Sequence, residues 1–154
     1  MIQHFDLRGL VLRDGRVEIR SANERDEDLL HAWFDDPDAR QRAHMRVVDQ
    51  FTIWPFVIME DVNDAGFLQV WRMPDETAGL EVFVAPPFRR RRLARVAVAL
   101  MARHLRDDLG WRRITIEPHA DDDVAIACFT QAGFVDRGER RDDGDHNHVI
   151  LEWP

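Results

Sequence analysis

Residues 79–105 read GLEVFVAPPFRRRRLARVAVALMARHL, and this stretch decides the fold. Its first seven residues, Gly79 to Ala85, are a β-branched and aromatic run that suits a pleated, buried strand. The run stops at Pro86-Pro87, which cannot donate to a sheet ladder. Beyond it Leu93, Val96, Ala97, Leu100, Met101, Leu105 and Leu109 fall on one helical stripe, and Gly110 stands where a left-handed cap would close the helix. Between strand and helix lie four consecutive arginines, Arg89 to Arg92. A helix N-terminus already carries roughly +0.5 charge from its aligned peptide dipoles, so cations there are unfavourable unless an anion joins them. Free backbone amides and guanidinium forks at such a turn suit phosphate oxygens. A polyphosphate ligand is the functional reading of the turn, and a solvated basic patch is the plainer one.

A second strand and helix follow. Arg112 to Glu117 reads as a strand, Asp122 as a helix N-cap, Ala125, Cys128, Phe129 and Ala132 as an inward face, and Gly133 as the closing cap. With the elements below, the two strand-helix units, 79–109 and 112–132, predict a strand-rich α/β sandwich. Upstream, Leu10 to Ala22 alternates about Asp14-Gly15, which predicts a hairpin. Asn23 with Asp26 resembles a capping arrangement ahead of a helix carrying Leu29, Leu30, Trp33 and Phe34 and ending at Asp36-Pro37. A weaker helix over 37–48, a strand over 51–60, a turn through 63–66 and a strand over 67–73 complete the first half. A terminal hairpin, 134–141 with 148–153, completes the second.

The chain has 154 residues, 45% of them hydrophobic, including 9 Phe and 5 Trp, enough for the core of one domain. We expect a single domain over 1–154. No window approaches the roughly 18 apolar residues of a membrane span, and the opening MIQHFDLRGL lacks signal-peptide architecture, so a cytoplasmic protein without a membrane partner is expected. One cysteine, Cys128, excludes an internal disulfide and a multi-cysteine zinc site. A formal net charge of -8 disfavours nucleic acid as a partner and attracts cations. His146 and His148 could share a strand face as metal ligands do, but without a third ligand a polar hairpin is the better account, and no metal is expected.

The stretch VFVAPPFRRRRLARVAVALMARHL resembles the acyl-CoA-binding motif of the GNAT acyltransferases, a Q/R-x-x-G-x-G/A turn between strand and helix. Arg89 and Ala94 match its first and last positions, and Arg92 replaces its middle glycine. IEPHADDDVAIACFTQAGF is similar to the family's second signature, with Asp122, Ala125, Gly133 and Phe134 in register, Asp122 replacing Asn and Phe129 replacing Tyr. IRSANERDEDLLHAWFDDP resembles the family's opening strand and helix, with its W-x-x-D-P ending. The resemblance spans nearly the whole chain and implies a mixed α/β (α+β) fold, a central sheet with splayed parallel strands flanked by helices. It implies acetyl-CoA as co-substrate. Backbone amides at Val82, Phe83 and Val84 would hold the thioester arm, and Arg89, Arg90, Arg91, Arg92, Leu93 and Ala94 the diphosphate. Because Arg92 disfavours a positive φ, the turn is expected to bind in an ordinary helical conformation or to bind less well. Asp122 and Phe129 are the remaining cofactor-side candidates.

An amine attacks a thioester only as the free base, so a carboxylate or a water chain must take its proton. Glu81, on the strand beside the thioester position, is the first candidate. The resemblance to the aminoglycoside 6'-N-acetyltransferase branch supports it, and Glu117 matches a second acidic position of that branch. Two carboxylates at the ends of neighbouring parallel strands would face one crevice; a solvent-facing role is the plain alternative for each. The tyrosine that the resemblance would place here usually protonates the departing thiolate; Phe129 cannot, and the chain has no Tyr, so either water supplies that proton or the acid is dispensable. Trp33, Trp54 and Trp71 could line an acceptor pocket; Trp33 follows the helical stripe and is expected in the core. The expected acceptor is the primary amine of a small cation, aminoglycoside-like or polyamine-like. Protein N-termini, a siderophore hydroxylysine and a non-catalytic acyl-CoA sensor stay open as alternatives, as does a homodimer.

Overall fold

The computed structural model describes residue 7 and residues 9–34, 52–73 and 75–154. Among them eight strands form one sheet. They are β1 (Val11–Asp14), β2 (Val17–Ser21), β3 (Thr52–Glu60), β4 (Asn63–Arg72), β5 (Thr77–Val84), β6 (Arg113–Ile116), β7 (Val135–Asp142) and β8 (Asn147–Glu152). Their spatial order is β1-β2-β3-β4-β5-β6-β8-β7, so only the last hairpin departs from sequence order. Among the described residues three α-helices accompany them: α1 (Glu27–Phe34), α2 (Leu93–Arg103) and α3 (Asp123–Ala132). The mixed α/β architecture and both strand-helix units are as the sequence predicts.

Local chemistry accounts for the element ends. In the capping box before α1, Asn23 Oδ1 accepts from the Arg25 amide and Asp26 Oδ2 accepts from the Asn23 amide, both at 2.9 Å. The short helical turn Glu24–Asp26 precedes the regular helix. Asp122 caps α3 by accepting from the Ala125 amide at 3.0 Å, and Gly133 closes it at φ 125. The stripe on α2 buries Leu93, Ala97, Met101 and Leu105 against Ala78, Leu80, Ile114 and Ile116 of the sheet. Past Arg103 the helix widens into a π turn, His104–Asp108, before Gly110 at φ 72 ends it. On the opposite face Trp33 and Leu30 of α1 pack with Phe67 and Phe83.

One expectation of the fold needs correction. The turn expected at 63–66 lies at Asp61-Val62, and Asn63 to Gly66 already pair with β3 across an irregularity between Ile58 and Met59. Asp61 takes φ 55 and donates its amide to the Arg16 carbonyl, which fixes the reversal there rather than at the turn-like residues that follow. A Cβ at Gly66 would sit 2.1 Å from the Phe83 carbonyl oxygen, so this glycine serves close strand approach. The helix expected over 37–48 and the Asp36-Pro37 stop lie outside the described residues.

The topology creates one opening. β5 and β6 are the parallel pair, matched from Thr77 with Arg113 to Leu80 with Ile116. β6 then ends, whereas β5 runs on to Val84. Four residues of β5 therefore extend past their neighbour into the wedge expected of splayed parallel strands.

Candidate active site

A cavity of about 450 Å³ fills that wedge. Its walls come from β5, from the turn before α2, from the first turns of α3 and from the end of β6.

The backbone of β5 decides which amides face it. Met73 donates to the Thr77 carbonyl and Ala85 to the Ala65 carbonyl, so odd-numbered residues of β5 hydrogen-bond to β4. Even-numbered residues turn the other way: Ala78 and Leu80 meet β6, and Val82 and Val84 face the gap beyond it. Of the three residues expected to hold a thioester, Val82 and Val84 line the cavity. Phe83 is directed to β4, and its side chain, 2% exposed, stacks on Phe67 with ring centroids 5.4 Å apart.

The arginine turn has an unexpected backbone. Arg90 and Arg92 are left-handed, at φ 65 and φ 64. The expectation of an ordinary helical conformation at Arg92 is thus wrong: the arginine adopts the backbone that a glycine would take most easily. Among the described residues no backbone carbonyl accepts from the amides of Arg90 to Arg95; the first bond of this kind runs from Val96 to the Arg92 carbonyl at 3.1 Å. A run of unmatched amides at a helix start, with alternating left-handed residues before it, is a concave anion site. Arg89, Arg90, Arg92, Leu93 and Ala94 line the cavity. Arg89 Nε also donates to the Val84 carbonyl at 2.9 Å, tying the turn to the strand edge. Arg91 is engaged elsewhere: its Nη1 lies 2.5 Å from Glu60 Oε1, and its guanidinium lies 5.8 Å from the centre of the Phe88 ring.

Gly79 of β5 is matched with Thr115 of β6, so the register carries Glu81 and Glu117 onto the same face. Both line the cavity. Glu117 Oε2 is paired with Arg141 Nη2 at 2.7 Å. Asp122, whose carboxylate caps α3, and Phe129, 8% exposed, line the wall opposite β5. Trp71 and Met73 of the β4 end border the same space, whereas Trp54 packs against the core.

Sequence reasoning missed His119, Arg141 and Phe88, all lining the cavity. His119 stacks on His146 with centroids 4.4 Å apart and meets His148 edge-on at 4.8 Å. Burial, reinforced by the neighbouring His148 and His146, pushes the His119 imidazole below its usual range. His148 is wholly buried, its ring hydrogen-bonded to the Asp143 carboxylate at 2.9 Å and to the Glu117 carbonyl at 3.2 Å. The amide of His146, followed by the His148 ring, holds the Asp143 carboxyl well below the usual carboxylate range. Among the described residues no cluster of His, Cys, Asp or Glu has metal-binding geometry. Nor, among them, is any helix long and apolar enough to cross a membrane.

Solved structures share this architecture. The aminoglycoside acetyltransferase AAC(6')-Ib, in complex with paromomycin and acetyl-CoA, is similar at TM-score 0.76 and 18% identity, over 89% of this chain and 92% of that one. A chimera of spermidine N-acetyltransferase SpeG from Vibrio cholerae and hSSAT is similar at TM-score 0.69 and 14% identity, over 90% and 95%. RimL, a ribosomal alpha-N-protein acetyltransferase, is similar at TM-score 0.74 and 15% identity, over 93% of each chain. At these identities the likeness establishes the fold. No curated protein sequence matches the chain significantly. The profile of the acetyltransferase (GNAT) family matches residues 18–134, so the chain belongs to that family, whose members are acyl-CoA-dependent N-acetyltransferases.

Proposed function

We propose that the protein transfers an acetyl group from acetyl-CoA to the primary amine of a small cationic acceptor, by direct attack within the β5/β6 wedge. One observation carries this reading: the arginine turn, with its unmatched amides, lines the same cavity as Glu81 and Glu117. The donor set suits a diphosphate, since backbone amides and the guanidinium groups of Arg89, Arg90 and Arg92 offer charge-assisted hydrogen bonds to several oxygens. The amides of Val82 and Val84, turned to the gap, suit an extended arm lying along the strand edge as an added strand would.

In the proposed step Glu81 takes a proton from the acceptor ammonium, directly or through water. The freed nitrogen adds to the thioester carbonyl and passes its second proton to water, the carbon–sulfur bond breaks, and the departing thiolate takes a proton from water. The products are an amide and free CoA. Glu117, held by Arg141, orients the acceptor rather than accepting its proton. The net charge of -8 supports a cationic acceptor. So do similar folds whose names include aminoglycoside and spermidine acetyltransferases.

The test is calorimetric titration with CoA, followed by acetyl-CoA turnover against a panel of aminoglycosides, polyamines and N-terminal peptides, read as thiol release. CoA binding with turnover of a small polycation is the expected result. Binding without turnover of any amine would identify a sensor, and no CoA binding at low salt would overturn the reading.

A further inference from the structure

Two left-handed arginines are an unfavourable feature. A non-glycine residue there is strained and persists only where surrounding contacts over-determine it. Arg90 at φ 65 and Arg92 at φ 64 flank Arg91, whose side chain is anchored in the fold. Its partner, Glu60, is the last residue of β3 and is only 7% exposed. A carboxylate so placed needs a charged partner, because an unpaired buried charge is strongly unfavourable. The anchor is itself rigid. Glu60 is matched with Val17 of β2 and with Asn63 of β4, and the adjoining turn is tied down where Asp61 Oδ2 meets Arg16 Nη2 at 3.0 Å. Arg91 also lies over Phe88, the residue that leads into the turn.

We propose that Glu60 is a positioning residue for the phosphate-binding turn: through Arg91 it holds Arg90 and Arg92 in the left-handed backbone that turns the amides toward the cavity. The pair therefore does for this sequence what a glycine at position 92 would do without help. The arginine run divides its labour accordingly, with Arg91 fixing the backbone while Arg89, Arg90 and Arg92 line the cavity. This inference rests on the reading of the turn as the CoA diphosphate site.

The experiment measures CoA affinity by calorimetry, and KM for acetyl-CoA and for acetyl-pantetheine, in wild type, Glu60→Gln, the double variant Arg90→Gly with Arg92→Gly, and the triple variant combining all three. Glu60→Gln is expected to weaken CoA about tenfold and to raise KM for acetyl-CoA with kcat unchanged. Acetyl-pantetheine, which lacks the diphosphate, should show an unchanged KM. In the double-glycine background, where left-handed backbone carries no penalty, the same Glu60→Gln change should cost less than twofold. An equal loss in both backgrounds, or an equal loss for acetyl-pantetheine, would show that Glu60 acts only on general stability and would overturn the proposal. Wild-type affinity in Glu60→Gln would overturn it too. Failure of the wild type to bind CoA would instead sink the underlying reading of the turn.

Discussion

Arg141 Nη2 lies 2.7 Å from Glu117 Oε2, so one of the two carboxylates expected to serve the reaction is already neutralised by a cation from an edge strand. The pair is partly open to water, with side-chain exposures of 46% for Arg141 and 23% for Glu117, so it contributes modestly to stability. Its consequence is for the acceptor. Arg141→Ala should leave Glu117 unpaired in the cavity and lower KM for a cationic amine several-fold, with little change in kcat. The salt dependence of that KM should steepen, because one more uncompensated negative charge faces the substrate. An unchanged or raised KM in initial-rate assays would mean that Glu117 does not face the acceptor.

The arginine turn predicts a different salt effect. Arg90 and Arg92 are exposed and line the cavity. Replacing both with alanine should weaken CoA by roughly tenfold to a hundredfold at low ionic strength, given about 1.5–3 kcal/mol for a hydrogen bond to a charged group shared with solvent. The difference from wild type should shrink as salt rises toward 0.5 M. A CoA affinity that calorimetry finds equal in variant and wild type would return these residues to the status of a solvated patch.

Much of the fold is legible in the sequence, for identifiable reasons. Strand 79–85 and the stripe from Leu93 to Leu105 stand out because burial on both sides of a central strand and on one face of a helix imposes strong patterns. The start of β4 is not legible. Asn63, Asp64 and Gly66 are turn residues by local preference, and only pairing with β3 makes them strand. The conformation of Arg92 is hidden for the same kind of reason: local preference opposes it, and a contact with residue 60, thirty-one positions from Arg91, accompanies it. His119 and Arg141 reach the cavity through long-range pairing, the first through its bridge to His148, the second through its place in β7 opposite His148. Nothing in the residues around either announces that meeting.

Asp26 links the sequence signal of a capping box to stability. Arg20 meets its carboxylate with two hydrogen bonds of 2.8 Å, and the side chain of Asp26 is only 6% exposed. Hydrogen bonding from Arg20, aided by the Asn23 amide and opposed by burial, keeps the Asp26 carboxyl below its ordinary range. A depressed carboxyl stabilises the folded state fully above its unfolded value of roughly 4, and the contribution is lost as pH falls through the folded value. Asp26→Asn should therefore cost about 3 kcal/mol at neutral pH, leaving Arg20 with Asp64, at 3.3 Å, as its acid partner among the described residues. The gap between variant and wild type should narrow below pH 4. Urea melts at pH 7 and pH 3 that showed the same difference would contradict this assignment.

Glu81 carries the sharpest prediction for catalysis. It lies on the face shared with Glu117, and of the two it is the carboxylate on β5 itself, next to the Val82 amide turned toward the gap. A base in that place takes the proton before the nitrogen attacks, and a positioned base contributes about 10² to 10⁴-fold in rate. Glu81→Gln should lower kcat by that range while CoA affinity stays within twofold of wild type. Raising the pH from 7 to 9.5 should recover part of the loss, because a growing share of the acceptor then arrives as the free amine. Phe129→Tyr separates the second proton from the first. If water protonates the thiolate, a hydroxyl at this cavity-lining position should change kcat less than threefold at any pH. A full-rate Glu81→Gln enzyme at pH 7 would remove Glu81 as the base, and a large gain in Phe129→Tyr would show that thiolate protonation, not amine deprotonation, limits the reaction.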